Sequence, residues 1–208
     1  MPSVARSVSA ASLLAACAAL LLGVGAAGPR AASAGADLID GVPLAGAIST
    51  TDWRPNAPTE VAAGDIPPEY LELYIHFGAQ MGVDWRFLAA IGGQESDHGR
   101  HPAAGRVNRS GCVGPMQLGI GGQCGDFVGE FGRDGNGDGL VDPLEPADAI
   151  ATAAFGLRAG KGTPPPGGSF EEHRRAACRY YGACASPAVD YADEVMQRAL
   201  SYGFPAQG

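Results

Sequence analysis

The sequence has little positive charge. Its 208 residues include 14 Lys and Arg against 22 Asp and Glu, which gives a formal net charge of -8 at pH 7. A protein that binds nucleic acid needs a basic face to neutralise phosphates, and the sequence shows no basic cluster of that kind. We therefore expect no nucleic-acid partner.

Zinc-type ligand spacing is missing as well. None of the five cysteines has a second cysteine two to four residues away, and the four histidines are not clustered with the cysteines. Structural zinc sites are built from such pairs. A zinc site is therefore disfavoured.

Residues 1–34 have the layout of a secretory signal peptide. A weakly basic start at Arg6 precedes an apolar run over residues 10–27, and the small residues Ala32 to Ala34 precede a cleavage point. The apolar run is close to the length that spans a bilayer, so an uncleaved N-terminal anchor is the alternative. We expect a secreted, extracytoplasmic protein, with a membrane tether only if this segment is retained.

Cleavage would remove Cys17 and leave an even number of cysteines. These are Cys112, Cys124, Cys178 and Cys184. Four cysteines in an exported chain are expected to form disulfides, and three pairings are open. We expect Cys112 to pair with Cys124 and Cys178 with Cys184, because each pair closes a short local loop.

Helical periodicity dominates after a region without any. Residues 35–65 are rich in Ala, Gly, Pro and Thr and are typical of a flexible linker. From Ile66 the apolar residues recur at helical spacing: one helix is predicted to end near Gly82, and Asp84 is a suitable N-cap for the next. No strand pattern of comparable strength and no repeat is evident. The sequence predicts one mostly α domain of about five helices over residues 66–205.

The run DGNGDGLVDPLE matches the spacing of a calcium-binding EF-hand loop. Oxygen donors occupy loop positions 1, 3, 5, 9 and 12, a backbone carbonyl serves position 7, and a glycine occupies the sharp turn at position 6. The predicted ligands are Asp134, Asn136, Asp138, Leu140 through its carbonyl, Asp142 and Glu145. A solvated acidic turn is the alternative. We expect one structural Ca²⁺ ion.

Glu95 stands on the apolar side of its predicted helix. It follows Leu88 by seven residues and Ile91 by four, so it shares their face. Burial disfavours the charged carboxylate and raises its pKa, which makes a glutamate a proton donor near neutral pH. Gly92 and Gly93, one turn earlier, would leave room for a ligand. The alternative is a helix end where Glu95 turns to solvent.

Three ordered motifs resemble a known enzyme family. The segments AAIGGQESDHGR and SGCVGPMQ, followed by the acidic loop and PADAIATAAFGL, resemble a lytic transglycosylase of the lysozyme-like superfamily, in its membrane-bound and actinobacterial branches. The resemblance spans about Ile66 to Gly203. It implies a lysozyme-like domain with an embedded EF-hand-like calcium loop, acting on peptidoglycan glycan strands at the cell wall.

The resemblance also implies a mechanism and a site. Glu95 would act as general acid and then general base in cleaving the MurNAc-GlcNAc bond, leaving 1,6-anhydromuramoyl ends. The implied substrate-binding residues are Ser96, Gly114, Met116, Gln117, Tyr180 and Tyr181, with Met116 better suited to packing than to ligand contact.

Several residues leave alternatives open. The family usually carries a Tyr-Asn pair on a late helix, whereas this chain has Tyr180 and Tyr181 there, and either could fill part of that role. Tyr191 could line the cleft, but we expect it in the core. Asp97 lies about 200° round the helix from Glu95 and is not expected to be a second catalytic carboxylate. A hydrolytic muramidase of the same fold and a non-catalytic, calcium-stabilised wall-binding module are the competing functions.

Overall fold

Helices make up most of the described chain. The computed structural model describes residues 57–182 and 188–206, and the backbone of a short hairpin near the N-terminus. The helices are α1 (Glu60–Asp65), α2 (Pro68–Met81), α3 (Trp85–Ser96), α4 (Phe127–Phe131), α5 (Pro146–Ala159), α6 (Phe170–Tyr181) and α7 (Ala188–Ser201). The predicted mostly α class is confirmed. The predicted signal peptide, residues 1–34, lies outside the described residues.

Two antiparallel pairs of very short strands accompany the helices. The chain divides into two compact units, Met1–Ser49 and Thr50–Gly208. In the first unit, β1 (Leu38–Ile39) pairs with β2 (Val42–Pro43). In the second, β3 (Cys112–Val113) pairs with β4 (Leu118–Gly119), and residues 114–117 form the turn between them. Strands of two residues leave no alternation that a sequence pattern could reveal.

Local sequence signals account for the helix ends. Thr59, Asp84 and Ser169 each accept a backbone N–H at the start of α1, α3 and α6, as N-cap residues do. Helix α2 ends at Gly82, whose φ of 65° lies in the left-handed region that glycine adopts without steric cost. The predicted cap at Asp84 and the predicted stop at Gly82 are both confirmed.

Helix α3 is the most enclosed helix of the second unit. It packs against α2 and α7, while α2 also packs against α5, and α6 against α7. All residues of α3 are buried except Gln94 and Glu95. Burying a large apolar side chain such as Leu88 or Ile91 contributes about 1.5 to 3 kcal/mol. No helix within the described residues is long and apolar enough to cross a bilayer.

The folded part of the second unit begins earlier than residue 66. Helix α1 lies inside the segment that the sequence assigns to a linker, and Ala62 on it is fully buried. The hydroxyl of Thr59 donates to the carbonyl of Ser201 at 3.2 Å. A six-residue helix is too short to show amphipathic periodicity, so its packing comes from tertiary contacts rather than from a local pattern.

One predicted disulfide is confirmed. Cys112 is bonded to Cys124 with a Cα–Cα distance of 5.5 Å, and the bond closes the segment that contains β3, β4 and the turn between them. Cys178 is also disulfide-bonded. Its predicted partner Cys184 lies outside the described residues.

The turn of residues 114–117 packs directly against the acidic loop of residues 134–145. Gly114 has a φ of 78°, and a Cβ atom on it would lie 1.7 Å from the carbonyl oxygen of Pro143. Only a residue without a side chain permits this approach. The acidic loop and the β3–β4 turn are therefore in backbone contact.

Replacing Gly114 should therefore lower the free energy of unfolding by more than its left-handed backbone conformation alone explains. Gly167 also has a positive φ, 89°, but an added Cβ there would meet nothing within 4 Å. Gly167→Ala should cost roughly 1 to 2 kcal/mol for the left-handed conformation. Gly114→Ala should cost clearly more, because the backbone of the acidic loop must move. Urea unfolding of both variants measures this, and equal losses would contradict the close contact.

Candidate active site

Glu95 lies at the end of α3 and faces Tyr191 of α7. Its side chain is partly buried, and burial raises its pKa to about 7, against a smaller lowering by a hydrogen bond from Tyr191. The Tyr191 hydroxyl donates to Oε1 of Glu95 at 2.5 Å. Near neutral pH the carboxyl group therefore exchanges readily between its acid and base forms, as a general acid–base catalyst requires. The prediction of a desolvated Glu95 with a raised pKa is confirmed.

Tyr191 combines burial with a contact to the acid. The sequence places it in the core, and its exposed fraction of 8% agrees, but its hydroxyl is also the hydrogen-bond donor to Glu95. Burial, followed by the nearby charge of Glu95, raises the pKa of Tyr191 well above its ordinary value. The phenol therefore stays protonated and remains a donor. A tyrosine hydroxyl on a buried helix face needs a hydrogen-bond partner. The position of Tyr191 on such a face was the sequence signal for its contact with another polar group.

Tyr180 and Tyr181 point to different neighbours. The Tyr180 hydroxyl donates to the carbonyl of Met116 at 2.8 Å, which ties α6 to the β3–β4 turn. The Tyr181 ring lies 4.8 Å from the Tyr191 ring, centroid to centroid, and is 50% exposed. Of the two, Tyr181 is the aromatic surface open to a ligand beside the Tyr191–Glu95 pair.

The residues of the β3–β4 turn use their polar groups within the protein. The Ser96 hydroxyl donates to the carbonyl of Pro115 at 2.6 Å and accepts from the Gly99 N–H at 2.8 Å. The Gln117 amide donates to the Gly114 carbonyl at 2.8 Å. Ser96 and Gly114 are buried. These hydrogen bonds join the end of α3 to the β3–β4 turn, which we call the wall next to Glu95.

Met116 and Gln117 complete this wall. Met116 is fully buried, which agrees with the expected packing role. Gln117 has a φ of 46°, an uncommon conformation for a residue other than glycine. Its side-chain oxygen accepts from the Asn108 amide at 3.2 Å. Backbone strain in this turn is thus held in place by side-chain hydrogen bonds.

The space beside Gly92 and Gly93 is already occupied. A Cβ on Gly92 would lie 2.0 Å from the Tyr74 hydroxyl, and one on Gly93 would lie 2.7 Å from Cδ of Arg198 and 3.0 Å from Nε2 of His98. The expectation that these glycines make room for a ligand is therefore wrong. They make room for the side chains of Tyr74, His98 and Arg198, which pack against α3.

Asp97 is tied to an arginine. Its carboxylate accepts from Arg100 at 2.5 and 2.9 Å, and this bond lowers the pKa of Asp97. The side chain is exposed, and the residue is the left-handed C-cap of α3. A carboxylate held in its ionised form is a poor proton donor, which agrees with its expected non-catalytic role.

The acidic loop folds around Asp134. One carboxylate oxygen of Asp134 accepts from the Gly137 N–H at 2.6 Å, and the other accepts from the Gly139 N–H at 2.7 Å. Asn136 and Asp142 accept backbone N–H groups two residues later in the chain. No group of three or more His, Cys, Asp or Glu side chains is gathered as a metal cage among the described residues.

Asp148 anchors the loop to α5, a role that the sequence reading missed. It is completely buried. Its carboxylate accepts from the N–H groups of Gly135 at 2.8 Å, Asn136 at 3.2 Å and Asp142 at 2.8 Å. Glu145 caps the same helix by accepting from the Asp148 N–H at 3.0 Å. A carboxylate near the start of an apolar helix is ordinary in a sequence, so only the tertiary contacts show that it links both halves of the loop.

The raised pKa of Glu95 predicts a pH-dependent effect on stability. The folded-state pKa is about 7 against an ordinary value of 4.5, so the unfolded chain ionises first and stability falls as pH rises through that range. Glu95→Gln should match the wild type near pH 4 and be more stable at pH 8, by up to about 3 kcal/mol. Asp97→Asn should show no such gain. Urea unfolding at both pH values measures this, and a Glu95→Gln variant without the gain at pH 8 would contradict the burial of Glu95.

Comparison with known proteins adds no support to the resemblance to a lytic transglycosylase, which therefore rests on the sequence motifs. No protein-family model matches this chain, and no curated protein matches it.

Proposed function

We propose that this chain is an exported peptidoglycan lytic transglycosylase. The observation that carries the proposal is a single partly buried carboxyl group, Glu95, with a pKa of about 7. The causes of its shift are burial and the Tyr191 hydrogen bond, and no carboxylate contributes among the residues that the structure describes. Most glycoside hydrolases place two carboxyl groups about 5 to 9.5 Å apart. A lone acid–base residue instead suits a reaction in which the substrate supplies its own nucleophile.

The reaction requires one proton to leave Glu95 and one to return. Protonated Glu95 donates to the glycosidic oxygen as the bond from that oxygen to the anomeric carbon of MurNAc breaks. The resulting carboxylate then accepts the proton of the C6 hydroxyl of the same sugar, whose oxygen bonds to the anomeric carbon. No water is consumed, and the intramolecular attack gains from proximity.

Tyr191 and Tyr181 have separate parts in this scheme. The Tyr191 hydroxyl donates to Glu95 and so stabilises the carboxylate that exists between the two proton transfers. The exposed ring of Tyr181 lies against Tyr191 and offers an apolar face to a sugar ring beside the acid. In this scheme the turn of residues 114–117, joined to α3 through Ser96, would form one side of the substrate cleft.

Export is part of the proposal. It is supported by the layout of residues 1–34 and by the Cys112–Cys124 disulfide, since stable disulfides are typical of oxidising compartments. Peptidoglycan strands are the proposed partner. The net negative charge offers no electrostatic attraction to an anionic wall, so the cleft itself must supply recognition.

A structural Ca²⁺ ion in the acidic loop completes the proposal. The donor set of carboxylate, amide and carbonyl oxygens suits a hard cation, and the loop is largely exposed, so an ion can enter. Asp148 holds the backbone on both sides of the loop, and Pro143 touches the wall at Gly114. An ion bound there would stabilise a segment on which the cleft wall rests.

Product analysis tests the reaction. The mature protein should release fragments with 1,6-anhydromuramoyl ends from purified peptidoglycan, identified by mass spectrometry. Glu95→Gln should lose at least about a hundredfold in turnover, because general acid–base catalysis contributes that much. Asp97→Asn, the matched control, should retain activity.

The alternatives predict other outcomes of the same experiment. Reducing ends alone would replace the proposal with a hydrolytic muramidase. Binding without cleavage by the wild type would indicate a non-catalytic wall-binding module.

Calcium binding is tested by thermal unfolding. Saturation at a hundred times Kd should stabilise the folded state by about 2.7 kcal/mol, and chelation should lower Tm accordingly. Asp138→Asn should weaken this response, whereas Glu72→Gln, which removes an exposed acid on α2, should leave it unchanged. A wild-type Tm that is the same with Ca²⁺ and with chelator would remove calcium from the proposal.

A further inference from the structure

Four side chains form a continuous series of hydrogen bonds next to the C-terminal end of α3. Tyr74 of α2 bonds to Nδ1 of His98 at 3.2 Å, and Nε2 of His98 bonds to the Tyr202 hydroxyl at 3.0 Å. Tyr202, just after α7, donates in turn to the carboxylate of Asp65 at the end of α1. Tyr74, His98 and Tyr202 are fully buried. We call these four residues the His98 chain.

The number of hydrogens fixes the direction of every bond in the His98 chain. Tyr202 has one hydroxyl hydrogen and gives it to Asp65, since a carboxylate only accepts. The Tyr202 oxygen must then accept from Nε2 of His98, which makes Nε2 the protonated nitrogen. Nδ1 keeps its lone pair and accepts the hydroxyl hydrogen of Tyr74. The opposite tautomer would set the lone pair of Nε2 against that of the Tyr202 oxygen.

Burial of the His98 ring disfavours its protonation at neutral pH and outweighs the charges around it. Asp65 and Asp97 raise its pKa while Arg100 and Arg198 lower it, and burial, the largest cause, brings the pKa to about 4. The ring is therefore neutral above pH 5. A neutral imidazole supplies one donor and one acceptor, which are the two groups that Tyr202 and Tyr74 require.

His98 also holds an unfavourable backbone conformation three residues after Glu95. Asp97 and His98 have φ values of 52° and 53°, in the left-handed region that costs a residue with a side chain roughly 1 kcal/mol or more. Gly93 leaves the space that the His98 ring fills. The turn directly after the acid persists because the His98 chain ties it to α2, to α1 and to the residue that follows α7.

We propose that His98, as the neutral Nε2–H tautomer, is a positioning residue for Glu95. Its two hydrogen bonds fix the turn that ends α3 and thereby keep the carboxyl group in reach of Tyr191. Its effect on turnover rests on the proposed function. The tautomer of His98 and its effect on the pKa of Glu95 do not depend on the proposed function.

Nitrogen-15 NMR of the imidazole rings tests the tautomer in the wild-type protein. The two ring nitrogens of His98 should differ strongly in shift, with Nε2 protonated and Nδ1 unprotonated, and should not change between pH 5 and 8. Protonation of Nδ1, or titration of His98 between pH 5 and 8, would overturn the proposal whatever the protein's activity.

Two variants test the positioning of Glu95. His98→Leu removes both hydrogen bonds, and His98→Gln retains a donor and an acceptor. Carbon-13 NMR of the Glu95 carboxyl should show a pKa lowered from about 7 towards 4.5 in His98→Leu, because a loosened turn exposes the acid, and a value nearer the wild type in His98→Gln. His76→Gln should leave it unchanged. An unaltered Glu95 pKa in a folded His98→Leu would overturn the positioning role.

Peptidoglycan cleavage gives the functional readout. His98→Leu should lower kcat by more than about tenfold with KM nearly unchanged, and His98→Gln should recover part of the loss. Equal kcat values in wild type and His98→Leu would overturn the positioning role. Absence of cleavage by the wild type would count against the proposed function and leave the two NMR tests of His98 intact.

Discussion

The cost of burying one carboxyl group is the constraint on which the rest of this structure depends. Helix α3 is enclosed on nearly all sides and brings Glu95 to its end, against Tyr191. A neutral phenol offsets part of the desolvation without supplying a positive charge. A lysine or arginine in its place would hold the carboxylate ionised and remove its ability to donate a proton. The helices around α3 must therefore supply stability that this site does not.

The sequence predicted what depends on neighbours along the chain. Helical periodicity, the cap at Asp84, the stop at Gly82 and the local Cys112–Cys124 pair needed only short-range signals. The raised pKa of Glu95 followed from its helix face. Helix α1 was missed because six residues are too few for a period to show.

Features of the site that join distant segments could not be read in the same way. The hydrogen bond between Glu95 and Tyr191 spans 96 residues of sequence, and that between His98 and Tyr202 spans 104. Gly92 and Gly93 correctly predicted that other atoms approach α3 closely. The sequence does not show whether a ligand or a protein side chain fills that space. Asp148 shows the same limit, since its burial arises only when the acidic loop folds back on α5.

The Cys112–Cys124 bond also has a consequence for the order in which the protein matures. It closes the segment that carries the wall beside Glu95, and thiols in a reducing cytoplasm remain unpaired. A chain that follows the proposed export route therefore acquires this covalent closure only after translocation. Covalent closure of the segment next to Glu95 would then coincide with arrival in the oxidising compartment.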